Sequence, residues 1–177
     1  SYLSKITVPY LNGFLRDTRS SIARLGRDEK IHLVLGNQAA DLDTCVSTIV
    51  FAYLLHCEGV RPILPVINFS QEDLCLRPEV RAAFGTVGVD VDEDNLVFVD
   101  TEGGPLRRWP RRHVHLVDHN RLAPDQEDLE NDVVEILDHH KDERRCMKAQ
   151  QRRIVNPMGS CATLVAEYGL SRGHVFD

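Results

Sequence analysis

The chain has 177 residues, of which 42% are hydrophobic and 27% charged, a composition typical of a globular protein with one sizeable core. This balance excludes a disordered, collagen-like or coiled-coil chain. The 21 basic and 27 acidic residues give a formal net charge of −6, which argues against a nucleic-acid binder that works through a basic surface. No apolar run approaches the roughly 20 residues needed to cross a bilayer, so we expect no membrane-spanning segment.

The cysteine pattern favours a reducing compartment. The five cysteines form no C-x-x-C pair, and four of them lie in apolar stretches, where a free thiol behaves as a small hydrophobic group. Disulfides are rare in the cytosol, and nothing in this pattern requires them. We therefore expect a cytoplasmic protein.

The first third of the chain predicts helices followed by a strand–helix–strand unit. Apolar residues spaced by three, four and seven predict one or two amphipathic helices within residues 1–28. Ile31–Leu35 predicts a buried strand, Thr44–His56 a helix closed by Gly59, and Pro62–Ile67 a second strand. This order is typical of a parallel sheet with right-handed crossovers.

Short apolar strands recur along the rest of the chain, with weaker helices between them. The predicted strands are Leu96–Val99, Val114–Val117, Val133–Leu137 and Arg153–Val155, and a last helix begins near Ser160. No repeat or linker interrupts this pattern. We therefore predict the α/β class, with a predominantly parallel sheet flanked by helices in Rossmann-like layers, and one domain over residues 1–177 whose N-terminal helical segment packs on it.

Acidic, amide and imidazole side chains follow three of the predicted strands. They are Asn37, Asp41 and Asp43; Asp118, His119 and Asn120; and Asp138, His139 and His140. The carboxyl ends of parallel strands meet at one edge of a sheet, where ligands bind. Crowded carboxylates repel each other unless they share a proton or hold cations, and these ligand types suit Mg²⁺ or Mn²⁺. The sequence therefore predicts a two-metal centre, although each cluster alone is also compatible with a helix cap or a loop.

Three further features have simpler interpretations. We interpret the basic run Arg107–Arg112, which surrounds Trp109, as a solvated loop. His32 lies within a predicted strand and is interpreted as a core residue with a hydrogen-bond partner. Asp100 ends a strand and is a further candidate at the same edge.

Four ordered motifs resemble those of the DHH phosphoesterase superfamily, in its exopolyphosphatase and prune-like branch, which is related to the family II inorganic pyrophosphatases. The motifs are Gly36–Asp43, Leu116–Asn120, Ile136–His140 and Gly159–Thr163. The resemblance runs from about Ile31 to Tyr168. Asn37 stands where pyrophosphatases of this superfamily carry a metal-binding histidine, and this favours the exopolyphosphatases.

The resemblance implies a role for each metal ligand. Asp41 would bind the first metal, and Asp43 and His139 the second, while Asp118 would bridge both. Mg²⁺ is the expected ion, with Mn²⁺ or Co²⁺ as alternatives. We expect Asn37, an amide in place of an imidazole, to make the first site looser.

The resemblance also implies roles around the metals. His140 would face the phosphate, and His119 and Asp138 would orient the ligands. Ser160 opens the last helix, where the free backbone N–H groups and the positive end of the helix dipole would hold a phosphate oxygen, or Ser160 would act as a plain N-cap.

The implied function is that of an exopolyphosphatase, which releases terminal phosphate from short-chain inorganic polyphosphate by a hydroxide activated between two metals. The enzyme alternatives are a pyrophosphatase, a prune-like cyclic-nucleotide phosphodiesterase and a short-oligonucleotide nuclease. The non-enzyme alternative is a prune-like scaffold with a vestigial site. The family pattern places a fourth motif and a substrate-binding domain after Asp177, so we expect an N-terminal catalytic domain, weakly active or inactive alone. A polyphosphate-storing organelle is then the alternative to the cytoplasm.

Overall fold

The computed structural model describes residues 5–91, 95–101 and 104–176, and its centre is a six-stranded sheet. In chain order the elements are β1 (Lys5–Ile6), α1 (Val8–Ser21), β2 (Ile31–Leu35), α2 (Leu42–Cys57), β3 (Ile63–Ile67), α3 (Pro78–Thr86), β4 (Val97–Phe98), β5 (Arg112–Val117), β6 (Val133–Asp138), β7 (Gln151–Ile154), α4 (Cys161–Ser171) and β8 (Val175–Phe176). Two 3-10 helices cover Gln71–Leu76 and Pro124–Asp132.

The strand order creates a crevice at the carboxyl edge of the sheet. The order is β4-β3-β2-β5-β6-β7, and every pair is parallel, which confirms the predicted fold class. The chain moves outward from β2 to β4, returns to the other side of β2 with β5, and then moves outward again to β7. The order therefore reverses between β2 and β5, and ligands of open α/β sheets bind at such a switch point.

Both faces of the central strands are buried, which explains their continuous apolar sequence. In β2, Ile31, Leu33 and Leu35 contribute to the core on one face of the sheet, and Val34 contributes to the core on the other. All four side chains are fully buried. The four helices cover the Val34 face.

The opposite face is covered by irregular chain, and here one prediction is wrong. Trp109 is fully buried in the core with Leu129, so the basic run around it is not simply a solvated loop. Arg107 pairs with Asp128, and Arg112 pairs with Asp132, on the 3-10 helix Pro124–Asp132. The indole side chain supplies the apolar area that anchors this segment to the sheet.

The sequence pattern defined the weak elements only loosely. The predicted strand at Leu96–Val99 forms ladder pairs only over β4, and α3, one of the weaker helices expected between strands, had no predicted bounds because only Val80 and Phe84 of its nine residues are buried. β1 pairs with β8 at the far end of the chain, a contact that no local periodicity signals. No helix among the described residues is long and apolar enough to cross a membrane. All five cysteines are free thiols.

Candidate metal centre

Three of the predicted site residues meet at the switch point. Asp118, which follows β5, and His139 and His140, which follow β6, have ligand atoms within 4.8 Å of one another, a spacing that could hold a metal ion. His139 Nε2 lies 3.1 Å from Asp118 Oδ1, and His140 Nδ1 lies 3.8 Å from the same oxygen. Asp43, in the first turn of α2, brings its Oδ2 to 3.7 Å from His139 Nε2. These four side chains are the cation-facing cluster.

Asp118 has one buried carboxylate oxygen that lacks a hydrogen-bond partner among the described residues. Its side chain is only 4% exposed, Oδ2 accepts a hydrogen bond from the Thr44 hydroxyl, and Oδ1 has no hydrogen-bond partner among the described residues. Burial raises the pKa of Asp118; the Thr44 hydrogen bond opposes this shift, and the Asp43 carboxylate adds to it. A buried oxygen without a donor is costly, so Oδ1 fits a bound cation.

His139 is oriented so that its second nitrogen faces the carboxylates. Its Nδ1 donates a hydrogen bond of 2.9 Å to the Met158 carbonyl, which leaves the Nε2 lone pair directed at Asp118 Oδ1 in the neutral ring. Two lone pairs 3.1 Å apart need a proton or a metal ion between them. Burial lowers the pKa of His139, but the Met158 hydrogen bond and the carboxylates of Asp118 and Asp43 outweigh it, so the pKa stands above its usual value.

Asp43 is held by the N-terminus of α4. Its Oδ1 accepts from Ser160 Oγ at 2.7 Å and from Ala162 N at 2.8 Å, and its Oδ2 accepts from Cys161 N at 2.8 Å. Burial raises the pKa of Asp43, but these three donors and His139 outweigh it and hold the pKa below its ordinary value. The N–H groups that the sequence offered to a phosphate are therefore directed at this carboxylate.

Ser160 is the N-cap of α4, because its hydroxyl also accepts from Ala162 N at 3.1 Å. The hydroxyl thus accepts a hydrogen bond from the helix backbone and donates one to Asp43. A contact between Ser160 and phosphate stays a prediction.

Asp138 lies beneath the two histidines and is fully buried. Its Oδ1 accepts from His139 N at 2.8 Å, from His140 N at 3.2 Å and from His140 Nδ1 at 2.8 Å, while its Oδ2 accepts from Asn120. These contacts hold the turn that carries both histidines, and the His140 side chain is half exposed. His119 donates from Nδ1 to the Val117 carbonyl, and burial lowers its pKa, which keeps the ring neutral.

Asn37 and Asp41 shape the loop after β2. Asp41 is the N-cap of α2, where its Oδ1 accepts from Thr44 N at 2.9 Å, and it lies outside the group of Asp118 and the two histidines. Asn37 donates from Nδ2 to the Asp118 carbonyl at 3.2 Å and accepts from Ala39 N at 3.0 Å. Metal contacts by Asp41 and substrate contacts by Asn37 stay predictions.

One further candidate lies outside the cation-facing cluster, and one residue that contacts the cluster was not predicted. Asp100 accepts from Gln71 N at 3.0 Å, so it caps the 3-10 helix Gln71–Leu76 and is not part of the cation-facing cluster. Thr44, by contrast, touches Asp118 directly, and sequence reasoning treated it only as the start of a helix. Its signal was a hydroxyl residue placed immediately after an Asp-x-Asp motif.

The fold and the cluster define an α/β domain with a metal-competent site at the switch point of its parallel sheet. The model of the DHH family, N-terminal domain, matches residues 32–174. This chain belongs to that family, which confirms the resemblance of the four motifs.

Proteins similar to this chain carry exopolyphosphatase names. A Schizosaccharomyces pombe protein named as a candidate exopolyphosphatase is 40% identical over 139 residues, covering 76% of this chain and 35% of that protein. The protein named Exopolyphosphatase PRUNE1 is 36% identical over 149 residues in Bos taurus and 35% identical over 149 residues in Homo sapiens, each match covering 82% of this chain and 32% of the relative. The chain thus spans about a third of the length of these relatives.

Proposed function

We propose that this chain carries the metal centre of a phosphohydrolase that releases terminal phosphate from short-chain inorganic polyphosphate. The observation that carries the proposal is the buried Asp118 Oδ1, which has no hydrogen-bond partner among the described residues and faces His139 Nε2 at 3.1 Å. Membership of the DHH family and the exopolyphosphatase names of the relatives support a phosphohydrolase.

The proposed cofactors are two divalent cations, Mg²⁺ first and Mn²⁺ or Co²⁺ as alternatives. Asp43 and His139 would hold one, Asp41 the other, and Asp118 would lie between them. A cation at this site supplies positive charge to phosphoryl oxygens and lowers the pKa of a bound water towards neutrality. Oxygen and imidazole ligands suit these ions.

The protein's own groups would prepare the site for hydrolysis. Asp43 is fixed as an anion by the donors of α4, so it needs no reorganisation when a cation arrives. His140 keeps Nδ1 bonded to Asp138 and offers Nε2 to a phosphoryl oxygen or to the leaving phosphate. Its half-exposed ring is accessible to an incoming polyanion.

Charge explains why the cations are needed for binding. The chain has a net charge of −6, and several of its arginines are already engaged: Arg107 with Asp128, and Arg152 with Asp142. A polyphosphate therefore depends on metal charge at the edge of the sheet to overcome repulsion. We propose the cytoplasm as the compartment, which is supported by the five free thiols.

The test is phosphate release by the native polypeptide that carries this sequence. Tripolyphosphate, pyrophosphate and a cyclic nucleotide are compared with Mg²⁺, with Mn²⁺ and with a chelator. Metal-dependent release from tripolyphosphate that exceeds release from pyrophosphate is expected. Preference for pyrophosphate or for the cyclic nucleotide would reassign the substrate, and no release under any metal would overturn the proposal.

A further inference from the structure

Thr44 contacts the Asp118 carboxylate directly. It lies in the first turn of α2, is 2% exposed, and its hydroxyl donates to Asp118 Oδ2. The contact links two strand-end loops that are 74 positions apart in the chain. Both residues are buried, at 2% exposure for Thr44 and 3% for Asp118.

The position of the Thr44 hydroxyl is fixed by its surroundings. Thr44 N donates to Asp41 Oδ1 at 2.9 Å, and the Thr44 carbonyl accepts from the Thr48 hydroxyl at 2.8 Å. Gly36 packs against the same side chain, since a Cβ added at Gly36 would lie 2.6 Å from Thr44 Cγ2 and 2.5 Å from Thr48 Oγ1. The absence of a side chain at position 36 therefore lets β2 approach α2 closely enough for Thr44 to reach Asp118.

The backbone of Asp118 has an unusual conformation that hydrogen bonds hold in place. Its φ of +64° lies in the left-handed region, which L-residues adopt rarely, although Asp tolerates it better than most. The peptide is held by Asp118 N donating to the Leu137 carbonyl at 3.0 Å and by Asn37 Nδ2 donating to the Asp118 carbonyl at 3.2 Å. With the main chain held in this way, the Thr44 hydroxyl decides how the carboxylate is turned.

We infer that Thr44 is a positioning residue of the metal centre: its hydroxyl engages Asp118 Oδ2 and thereby turns Oδ1 towards the cation. This inference rests on the proposed function of the cluster. A neutral hydroxyl suits the task, because it satisfies one carboxylate oxygen without neutralising the charge that attracts the metal. A lysine or arginine at the same place would compete with the cation.

The test uses two variants that differ by one oxygen. Thr44→Ser and Thr44→Ala both lose the methyl group, and only the serine variant keeps the hydroxyl. Mn²⁺ affinity is measured by calorimetry, and the Mn²⁺ paramagnetic resonance spectrum is recorded at saturation, each on the native polypeptide. The serine variant should bind Mn²⁺ like the wild type, and the alanine variant about 10- to 100-fold more weakly, the range typical for residues that orient metal ligands.

The outcomes separate this inference from the proposed function. Equal affinity and equal spectra for the serine and alanine variants would overturn the role of Thr44, while the metal centre would stand. A wild type that binds no Mn²⁺ would overturn the metal centre and the Thr44 inference together. If the alanine variant does not fold, Thr44→Val, which keeps the shape of threonine and lacks the hydroxyl, is compared with the wild type instead.

Discussion

Two partly buried polar clusters lie along or at the ends of the same three strands, and they differ in how their atoms are paired. Nearer the amino ends of the strands, His32 Nδ1 lies 3.0 Å from His115 Nε2, and His115 Nδ1 lies 2.8 Å from Glu135 Oε2. At the carboxyl ends, Asp118 Oδ1 has no hydrogen-bond partner among the described residues and faces a histidine lone pair. Donors and acceptors are matched in the first cluster and mismatched in the second.

The contrast shows that burial of polar groups does not by itself indicate function. A chain of matched hydrogen bonds stabilises the sheet and needs no ligand, whereas an unmatched acceptor in a low-dielectric environment needs a proton or a cation. We propose that the same residue types stabilise the structure at one end of the strands and bind metal at the other. The predictions below test this division.

The largest effect is expected from Asp118→Asn. The amide keeps the shape and can still accept from Thr44, but it removes the charge that faces the cation. We expect Mn²⁺ affinity and phosphate release to fall by more than about 100-fold, beyond the range for residues that only orient ligands. Thermal stability without metal should stay equal or rise, because a buried negative charge is gone. Asp128→Asn, an exposed change of the same chemistry, is the matched control, and near-normal turnover in Asp118→Asn would contradict the assignment.

A substitution in the cluster of His32, His115 and Glu135 should lower stability and leave Mn²⁺ affinity unchanged, the opposite of Asp118→Asn. His115→Ala leaves His32 and the Glu135 carboxylate without their partner, so we expect the free energy of unfolding to fall by about 2–4 kcal/mol. Mn²⁺ affinity of the folded variant should not change. Urea denaturation and calorimetry measure the two quantities, and a loss of Mn²⁺ affinity with unchanged stability would reverse the division between the clusters.

A smaller effect is expected from pH. Burial, followed by the neighbouring His115 and His113, lowers the pKa of His32 from 6.5 to about 4. The unfolded chain therefore takes up a proton before the folded chain does, so the contribution of neutral His32 is complete above about pH 6.5 and is lost as the pH falls towards 4.

His32→Leu removes the pH-dependent contribution of His32 to the free energy of unfolding and leaves the other titrating groups in place. Urea midpoints measured at about pH 7 and at about pH 5 should differ less in the variant than in the wild type. An equal difference in both proteins would show that His32 does not couple protonation to stability.

The smallest effect is expected from Ser160→Ala. The change removes an N-cap and one of three donors to Asp43, so the free energy of unfolding should fall by about 1 kcal/mol and Mn²⁺ affinity by a few fold. Ser160→Thr keeps the hydroxyl and should restore both. If the alanine variant retains full affinity and loses only substrate binding, Ser160 contacts phosphate as the family pattern implied.

The parallel α/β fold and the convergence of three strand ends at one edge could be predicted because both follow from patterns of neighbouring residues. Continuous apolar runs predict strands buried on both faces, and parallel strands bring Asp118 and Asp138 to one edge. His32 was interpreted as a paired core residue, and the structure supplies the partner, His115.

The remaining features depend on contacts between distant positions. The hydrogen bonds from the N-terminus of α4 to Asp43 join residues 117 to 119 positions apart. The Thr44–Asp118 contact joins residues 74 positions apart. Trp109 is surrounded by arginines in the sequence, and this charged pattern predicted an exposed segment although the side chain is buried. Local periodicity carries no information about such pairs.

The most direct test of the metal centre is a crystal of the native polypeptide soaked in Mn²⁺ and measured for anomalous scattering. We predict a strong anomalous peak within coordination distance of Asp118 Oδ1 and His139 Nε2, and no peak beside His32 and His115. An empty carboxyl edge at saturating Mn²⁺, with density only elsewhere, would contradict the assignment of this cluster as the metal centre.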